Sequence, residues 1–349
     1  MRTNSPYAKL PDTSFWKRSV SGLSAQDVDP LIATPFTIGT QSAVATAGSC
    51  FAQHISRTLS EKGFNYLVPE TGPADKNYGV YPCRFGNIYT VRQLLQTFER
   101  AYGLRASMSS AWRRGDVFID PYRPQIEPDG FASLKELEDD RFTHLEHVRA
   151  MFEKCDVFIF TLGLTEGWET SEGTVVPLAP GVAGYPEDTE TYQFKNYNVL
   201  DMVSDFSAFM AKFRRVNPSV KVLLTVSPVP LIATFEKRHV LEANVYSKSA
   251  LRVAADMICQ SDENVHYFPS YEIITGPHNG YRYFESDLRS VSPAGVAQVM
   301  SIFSKHFLTD IVLDEQPRAT PTIAIPTTQN DEPRHELYEI ICDEEAIDP

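Results

Sequence analysis

Two hydrophobic regimes alternate along this chain. Short runs that are apolar throughout, rich in Val, Ile, Leu and Phe, sit between longer stretches where apolar residues return every three or four positions. The first run, Ser42–Ala47, reaches Gly48, and the apolar positions that follow fall at 51, 52, 55 and 59, with Gly63 where a helix stop belongs. This predicts a strand, a tight turn and a helix. A second strand, "DVFIFTLG" over 156–163, is fed by the helix "SLKELEDDRFTHLEHVRAMFEKC". A third, "VKVLLTVS" over 220–227, follows the amphipathic "NVLDMVSDFSAFMAKFRRV", and a fourth, "NVHYFPS" over 264–270, follows "EANVYSKSALRVAADMIC". The helix "SPAGVAQVMSIFSKHFL" closes the body. Continuously apolar strands are covered on both faces. Their alternation with helices predicts an α/β class: a three-layer α/β/α sandwich with a mainly parallel sheet.

The remaining segments frame a body spanning 41–313. Residues 1–40 read as an extended lead-in that packs through Tyr7, Phe15 and Trp16. Residues 64–135 are more than a minimal unit needs. They hold one helix, "TVRQLLQTFERAYG", and a Trp/Pro/Tyr-rich stretch, and read as a lid-like insertion over one end of the sheet. Residues 165–195 read as a second long loop. From 314 to 349 a Pro/Thr linker gives way to a tail, and residues 331–349 carry eight acids against one arginine. That composition predicts disorder or weak helicity.

Composition narrows the classes. With 349 residues, 42% hydrophobic and 22% charged, the chain is an ordinary globular one, and its net charge of −13 excludes a body built to bind nucleic acid. No run approaches the roughly 18 apolar residues that span a membrane, and the N-terminus lacks a signal-peptide core, so the expected location is cytoplasmic. The five cysteines, at 50, 83, 155, 259 and 342, are widely spaced and form no CxxC pair. Neither a zinc knuckle nor a disulfide framework is expected, and most read as buried small hydrophobes. No metal-ligand spacing, P-loop or dinucleotide fingerprint is present, so no metal and no cofactor are expected.

In an open parallel sheet, ligands bind beyond the carboxyl ends of the strands. Four stretches fall there: "GSC", "GLTEGWE", "SPVP" and "PSYE". A nucleophile at a strand-to-helix turn is pushed clear of the sheet, and the helix N-terminus lowers a thiol pKa and stabilises an oxyanion. The bland alternative is that Gly48 and Ser49 only make the turn, with Ser49 as N-cap and Cys50 as filler.

The stretch "GSCFA", with "FGNIYTVRQLL", "DPYRPQIEPDGF", "FTLGLTEGW", "TVSPVPLIAT", "YSKSALR" and "YFPSYEIITGP" in order, resembles the GSCFA domain family over about residues 40–308. That family is similar to the SGNH/GDSL hydrolases. The resemblance implies a flavodoxin-like sheet with an insertion after the first βα unit. It also implies an activity akin to that of esterases, lipases and carbohydrate O-acyltransferases or deacetylases. Against the relatives' Gly-Asp-Ser opening, Cys50 falls on the nucleophile and Ser49 on the aspartate, with Ser49 kept as an alternative nucleophile. Gly86 and Asn87 match the second block and would serve the oxyanion hole. The third block reads Gly163-Leu164-Thr165-Glu166, with Thr165 as a hydroxyl donor in place of an amide. The last block, Asp-x-x-His in the relatives, here reads Asp287-Leu288-Arg289-Ser290, with the acid present and the histidine missing.

A base must then come from elsewhere. His239, in the loop after the third strand, ranks first, with Asp287 to orient it. His54, one turn after Cys50, ranks second, and His278 third. His266 reads as structural; His144, His147 and His306 read as helix surface. Trp112, Tyr122 and Trp168 are placed to stack on a sugar ring, with Glu166 beside them and Arg123 to bind an anionic group; lid packing is their alternative role. The expected function is therefore an esterase or O-acyltransferase on a carbohydrate-like substrate, working through a covalent acyl-enzyme. Its partners would be a small-molecule or polysaccharide substrate and an acyl donor. The alternative is an inactive SGNH-like carbohydrate-binding or scaffold protein.

Overall fold

The structure is a computed structural model that describes residues 5–73, 76–105, 111–186, 191–309 and 343–348. In chain order the elements are α1 (Trp16–Ser19), β1 (Val44–Gly48), α2 (Ala52–Glu61), α3 (Val91–Ala101), β2 (Trp112–Arg114), β3 (Val117–Ile119), α4 (Leu134–Lys154) and β4 (Val157–Leu162). They continue with β5 (Glu166–Thr170), β6 (Val175–Val176), β7 (Tyr192–Asn196), α5 (Val199–Val216), β8 (Lys221–Val226), α6 (Val240–Ser261), β9 (Val265–Tyr267), α7 (Ser270–Thr275) and α8 (Pro293–Phe307).

The central sheet has the order β1-β4-β8-β9, all parallel. On the free edge of β1, the Asn65 carbonyl accepts from the Val44 N–H at 3.0 Å and the Leu67 N–H donates to the Val44 carbonyl at 2.8 Å. These bonds make a parallel bridge between Val44 and Tyr66, so a vestigial second strand completes the flavodoxin-like order. The period of two along each strand divides the core. Ala45, Ala47, Phe158, Phe160, Leu162, Val222 and Leu224 face α3, α4, α5 and α6. Val44, Val157, Ile159 and Leu223 face α2, α7 and α8. On the first face the rings of Phe152, Phe158 and Phe213 lie 5.0–5.8 Å apart, and burying each contributes roughly 1.5–3 kcal/mol.

Several expectations are corrected. Residues 165–195 contain a second, antiparallel sheet, β6-β5-β7, in place of a loop, and Trp112–Ile119 folds as a β2-β3 hairpin. Short strands broken by Gly and Pro carry too little periodicity to read. Tyr7 and Trp16 are exposed; Val28, Phe36 and Ile38 anchor the lead-in instead. Residues 314–349, where the composition predicts disorder, lie mostly outside the described residues. Its end, however, is a 3-10 turn, Asp343–Ile347, with Asp343 and Glu344 buried. No helix of the described residues is long and apolar enough to cross a membrane.

Buried ion pairs fasten the insertion. Asp120 lies between Arg123 and Arg141, each at 2.9 Å, and Arg84 reaches Glu127 at 2.6 Å and Asp140 at 3.1 Å. Burial alone would raise the Asp120 carboxyl, but Arg141 and Arg123 hold it far below the usual carboxylate range.

The turn that carries Ser49 and Cys50 depends on Gly48, whose φ is +133°. A Cβ there would fall 2.3 Å from the Thr161 carbonyl oxygen. Gly48→Ala is therefore expected to cost about 3 kcal/mol or more in urea unfolding. Gly63→Ala is the control: its φ is +74°, but nothing lies within 4 Å of the added Cβ, so about 1 kcal/mol is expected. Equal losses for the two would remove the close approach as the reason.

Candidate active site

Three loops converge at the carboxyl end of β1. The Ser49 N–H donates to the Thr161 carbonyl (3.2 Å), the Ile88 N–H to the Gly48 carbonyl (2.9 Å) and the Gly163 N–H to the Tyr89 carbonyl (3.1 Å). A Cβ on Gly163 would lie 3.0 Å from the Ser49 Cβ, so the two chains touch. Gln93, on the first turn of α3, accepts from the Tyr89 N–H and donates to the Asn87 carbonyl, both at 2.9 Å. The Tyr81 hydroxyl lies 2.7 Å from Asn87 Oδ1 and 3.1 Å from the Ser49 carbonyl. With Oδ1 taken by Tyr81, the Asn87 amide nitrogen is left to donate outward.

What it meets is Asp343. Its carboxylate takes hydrogen bonds from both the backbone and the side chain of Asn87, and it lies beside Gly86, whose φ is +68°. Burial pushes Asp343 up to about 6 in spite of those bonds. The sequence-predicted pair Gly86 and Asn87 thus holds an anion.

Cys50 is buried and disulfide-bonded, which corrects the expectation of unpaired cysteines. A single pairing between cysteines far apart leaves no spacing motif. Cys83, Cys155 and Cys259 are free, and the remaining cysteine of the sequence, Cys342, lies outside the described residues, directly before Asp343. Ser49 is also buried, and its Oγ has no hydrogen-bond partner among the described residues.

No ranked histidine bonds to Ser49. His239 is the exposed N-cap of α6, its Nδ1 accepting from the Leu241 N–H at 3.1 Å. His54 packs on Phe51 at 5.3 Å and lines a groove with α8 residues such as Val296 and Met300; burial and the Arg57 charge push it down to about 4. His278 packs near Tyr283. His144 is buried and bonded to Glu70 at 2.8 Å, not on the surface. Asp287 orients no histidine: it is exposed and accepts from the N–H groups of Arg289 and Ser290 and from the Ser290 hydroxyl.

The other assignments divide. The Thr165 hydroxyl is bonded to Ser247 at 3.0 Å. Trp112 is fully buried and donates to the Tyr192 hydroxyl. Tyr122 lies under Arg100 and Arg141, at 4.1 and 5.0 Å. Arg123 borders the small cavity at Asn87 and Asp343, but its charge is taken by Asp120 and Asp140. These three hold the insertion together. Trp168 and Glu166 do face a cavity of about 140 Å³, walled by Phe194, Phe235 and Leu231 and entered by Glu344 and Ile347. Glu166 accepts from the Thr234 hydroxyl (2.6 Å) and the Phe235 N–H (3.2 Å), which fixes that wall.

Two cations escaped the sequence reading. Lys248 is fully buried on α6 and donates to the Gly163 carbonyl at 2.9 Å. Burial pushes its ammonium down to about 8, with Glu344 opposing. Arg289 lies 3.4 Å from Glu344 and 3.6 Å from Glu345. Lys248 was legible as a charge inside the buried stripe of Ala243, Ser247, Leu251 and Ala255.

A parallel α/β sheet with a Gly-Ser-Cys turn, the Asn87 amides and two buried cations at its carboxyl edge defines the class. Within it, the GSCFA family profile matches residues 43–303, and the chain belongs to the GSCFA family. No curated protein matches. Among solved structures, a carbohydrate esterase family 3 from Talaromyces cellulolyticus is similar at 13% identity and TM-score 0.31, over 76% of this chain and 95% of that one. An acetyl esterase mutant with acetate ion gives 14%, 0.30, 76% and 95% in the same order. An acetyl xylan esterase from the rumen bacterium Butyrivibrio proteoclasticus gives 13%, 0.26, 67% and 54%.

Both buried tail carboxylates are raised by burial, Asp343 to about 6, against the pull of Asn87, Arg289 and Lys248. A raised pKa gives seating that is complete below the ordinary carboxylate range and weakens as pH climbs through about 6. For Asp343 the loss is on the order of 3 kcal/mol. The Asn87 amide resonance should therefore shift between pH about 4 and about 7 in the native chain and stay still in Asp343→Asn. A native resonance that ignores pH would contradict this sign.

Proposed function

We propose that this protein is an acyl-transfer enzyme, an esterase or O-acyltransferase on a carbohydrate-like substrate, with Cys50 as its nucleophile. The observation that carries the reading is the carboxylate of Asp343 held on the Asn87 amides beside the Gly48–Cys50 turn. An anion is seated where the oxyanion of a tetrahedral intermediate would form.

The chemistry begins once an external dithiol or phosphine supplies two electrons to the Cys50 disulfide, the S–S bond breaking and each sulfur leaving as a thiol. The thiolate attacks the ester carbonyl, and the carbonyl electrons move to an oxygen held by the amides of Gly86 and Asn87. Collapse expels the alkoxide, which takes a proton from water and leaves as the alcohol. Water then hydrolyses the thioester, releasing the acid and restoring the thiol; an alcohol acceptor in place of water completes a transfer. A thiol suits a site with no histidine at the turn, because it ionises far more readily than a hydroxyl. The start of α2 just after Cys50 favours the thiolate further. Ser49 has the alternative hydroxyl, but no base bonds to it. Trp168, Phe194 and Phe235 offer an apolar wall against which a sugar face can stack.

A second reading, a binding protein without turnover, is favoured by one observation: Asp287 is used within its own turn. Intact-mass spectrometry after phosphine reduction and brief exposure to p-nitrophenyl acetate separates the two. The expected result is one acetyl group, lost in Cys50→Ala and kept in Ser49→Ala. Loss only in Ser49→Ala moves the nucleophile by one residue, and no adduct in a folded, reduced protein sinks the enzymatic reading. In the same reduced sample iodoacetamide should label Cys50 ahead of Cys155 and Cys259, whose thiols burial pushes up to about 12.

A further inference from the structure

Consecutive residues of the C-terminal turn reach two different parts of the site. Asp343 sits on Asn87, and Glu344 faces Arg289 and Lys248. Cα atoms of neighbouring residues are about 3.8 Å apart. The two anion positions are thus presented by adjacent residues of one turn.

We propose that Lys248 and Arg289 form a carboxylate-binding subsite, filled here by Glu344, and that the ester acted on is an acylated sugar acid. The proposal rests on the acyl-transfer reading above and adds the substrate class.

Four observations carry it. Lys248 is 1% exposed and the Arg289 side chain 16%, so both are withdrawn from water. Two like charges so placed need a counterion. Glu344 supplies it, itself buried, while Glu345 at 3.6 Å from Arg289 is largely exposed. Each cation is held in place without the tail, Lys248 by the Gly163 carbonyl and Arg289 by the Pro230 carbonyl at 3.2 Å. The Arg289 Nη2 makes no hydrogen bond among the described residues, so a better-fitting carboxylate would gain one. Glu344 also lines the Trp168 cavity, so an anion in its place is joined to a sugar-sized apolar wall.

Substrate can reach the Asn87 amides only when Asp343 leaves them, and Glu344 leaves with its neighbour. The open site therefore presents a cation pair with no carboxylate opposite it. A neutral ester would leave that pair unpaired, whereas a uronate-type ester replaces what the tail withdrew.

The test uses the full chain, phosphine-reduced, carrying Glu344→Ala, which empties the subsite even if the turn stays seated. Thermal melts and calorimetric titrations are run with glucuronate, glucose and glucose 6-phosphate. Glucuronate is expected to bind at least about tenfold tighter than glucose and to raise the melting temperature of this variant more than that of the native chain. Adding Arg289→Gln should abolish the preference, and Arg289→Lys, which keeps the charge, should retain part of it. Equal binding of glucose and glucuronate overturns the proposal. So does tighter binding of glucose 6-phosphate, which would make the subsite a phosphate site. No binding of any of the three overturns it too. The acetyl adduct from p-nitrophenyl acetate, a neutral ester, is read separately. Glucuronate binding without that adduct would end the acyl-transfer reading and leave the subsite standing, and the converse would do the reverse.

Discussion

Gly48 and Thr161 lie so close that no side chain fits between β1 and β4 at the point where β1 ends. The chain leaves the sheet there with a φ of +133°, open to glycine and strained for any other residue. The direction of Ser49 and Cys50 follows from this contact. The Ser49 N–H is taken by the Thr161 carbonyl and the Gly48 carbonyl by the Ile88 N–H, so the turn, the 86–89 loop and the end of β4 are locked to one another. Gln93 and Tyr81 extend the lock to Asn87. A site built this way is fixed by hydrogen bonds before any ligand arrives, which is what the proposed oxyanion role would need.

The loop before α8 shows how the same frame can be fitted with different chemistry. Asp287 folds its own turn by accepting from Arg289 and Ser290, with Leu288 at a φ of +56°. The product of that turn is the placement of Arg289, whose guanidinium reaches the cleft and Glu344. Where the wider resemblance calls for a histidine base, this chain presents a permanent cation. A hydroxyl nucleophile would lose its proton acceptor by that exchange, whereas a thiol ionises far more readily without one. On the proposed reading, the cysteine of "GSC" and the missing histidine of "DLRS" are therefore consistent with each other, though they lie far apart in sequence.

Much of the fold was legible because its strands are continuously apolar and its helices periodic, from "VATAG" to "VKVLLTV". The β5–β7 sheet was not, since β6 is only two residues long and β5 mixes Glu, Gly, Trp and Thr. At the site, Gly86 and Asn87 could be named because "FGN" matches the second block of the family it resembles. The base could not. Histidines were ranked by sequence distance from the sheet rim, but His239 is spent on a helix cap and His54 turns to the groove beside α8. Arg123, Tyr122 and Trp112 look like ligands in sequence because charged and aromatic residues serve equally well to staple an insertion. Nothing in an acidic C-terminus says which two of its carboxylates will be buried.

The seated turn also bears on how tightly a substrate must bind. A segment joined to the body by the chain competes with a free ligand intramolecularly, at an effective concentration and not at its own dilution. A weak intrinsic contact then suffices to hold it against dilute ligand. Here the contact is weakened from within: burial pushes Asp343 up to about 6 and Glu344 in the same direction, against the pull of the groups that hold them. The cations and amides that hold them suit an anion better bonded than Glu344, whose nearest Arg289 nitrogen is 3.4 Å away. On the proposed reading, an occupant that is local but imperfect would exclude neutral and weakly bound esters while yielding to one that carries its own carboxylate. Selectivity in such a site comes from the difference between substrate and tail, and not from the affinity of either alone.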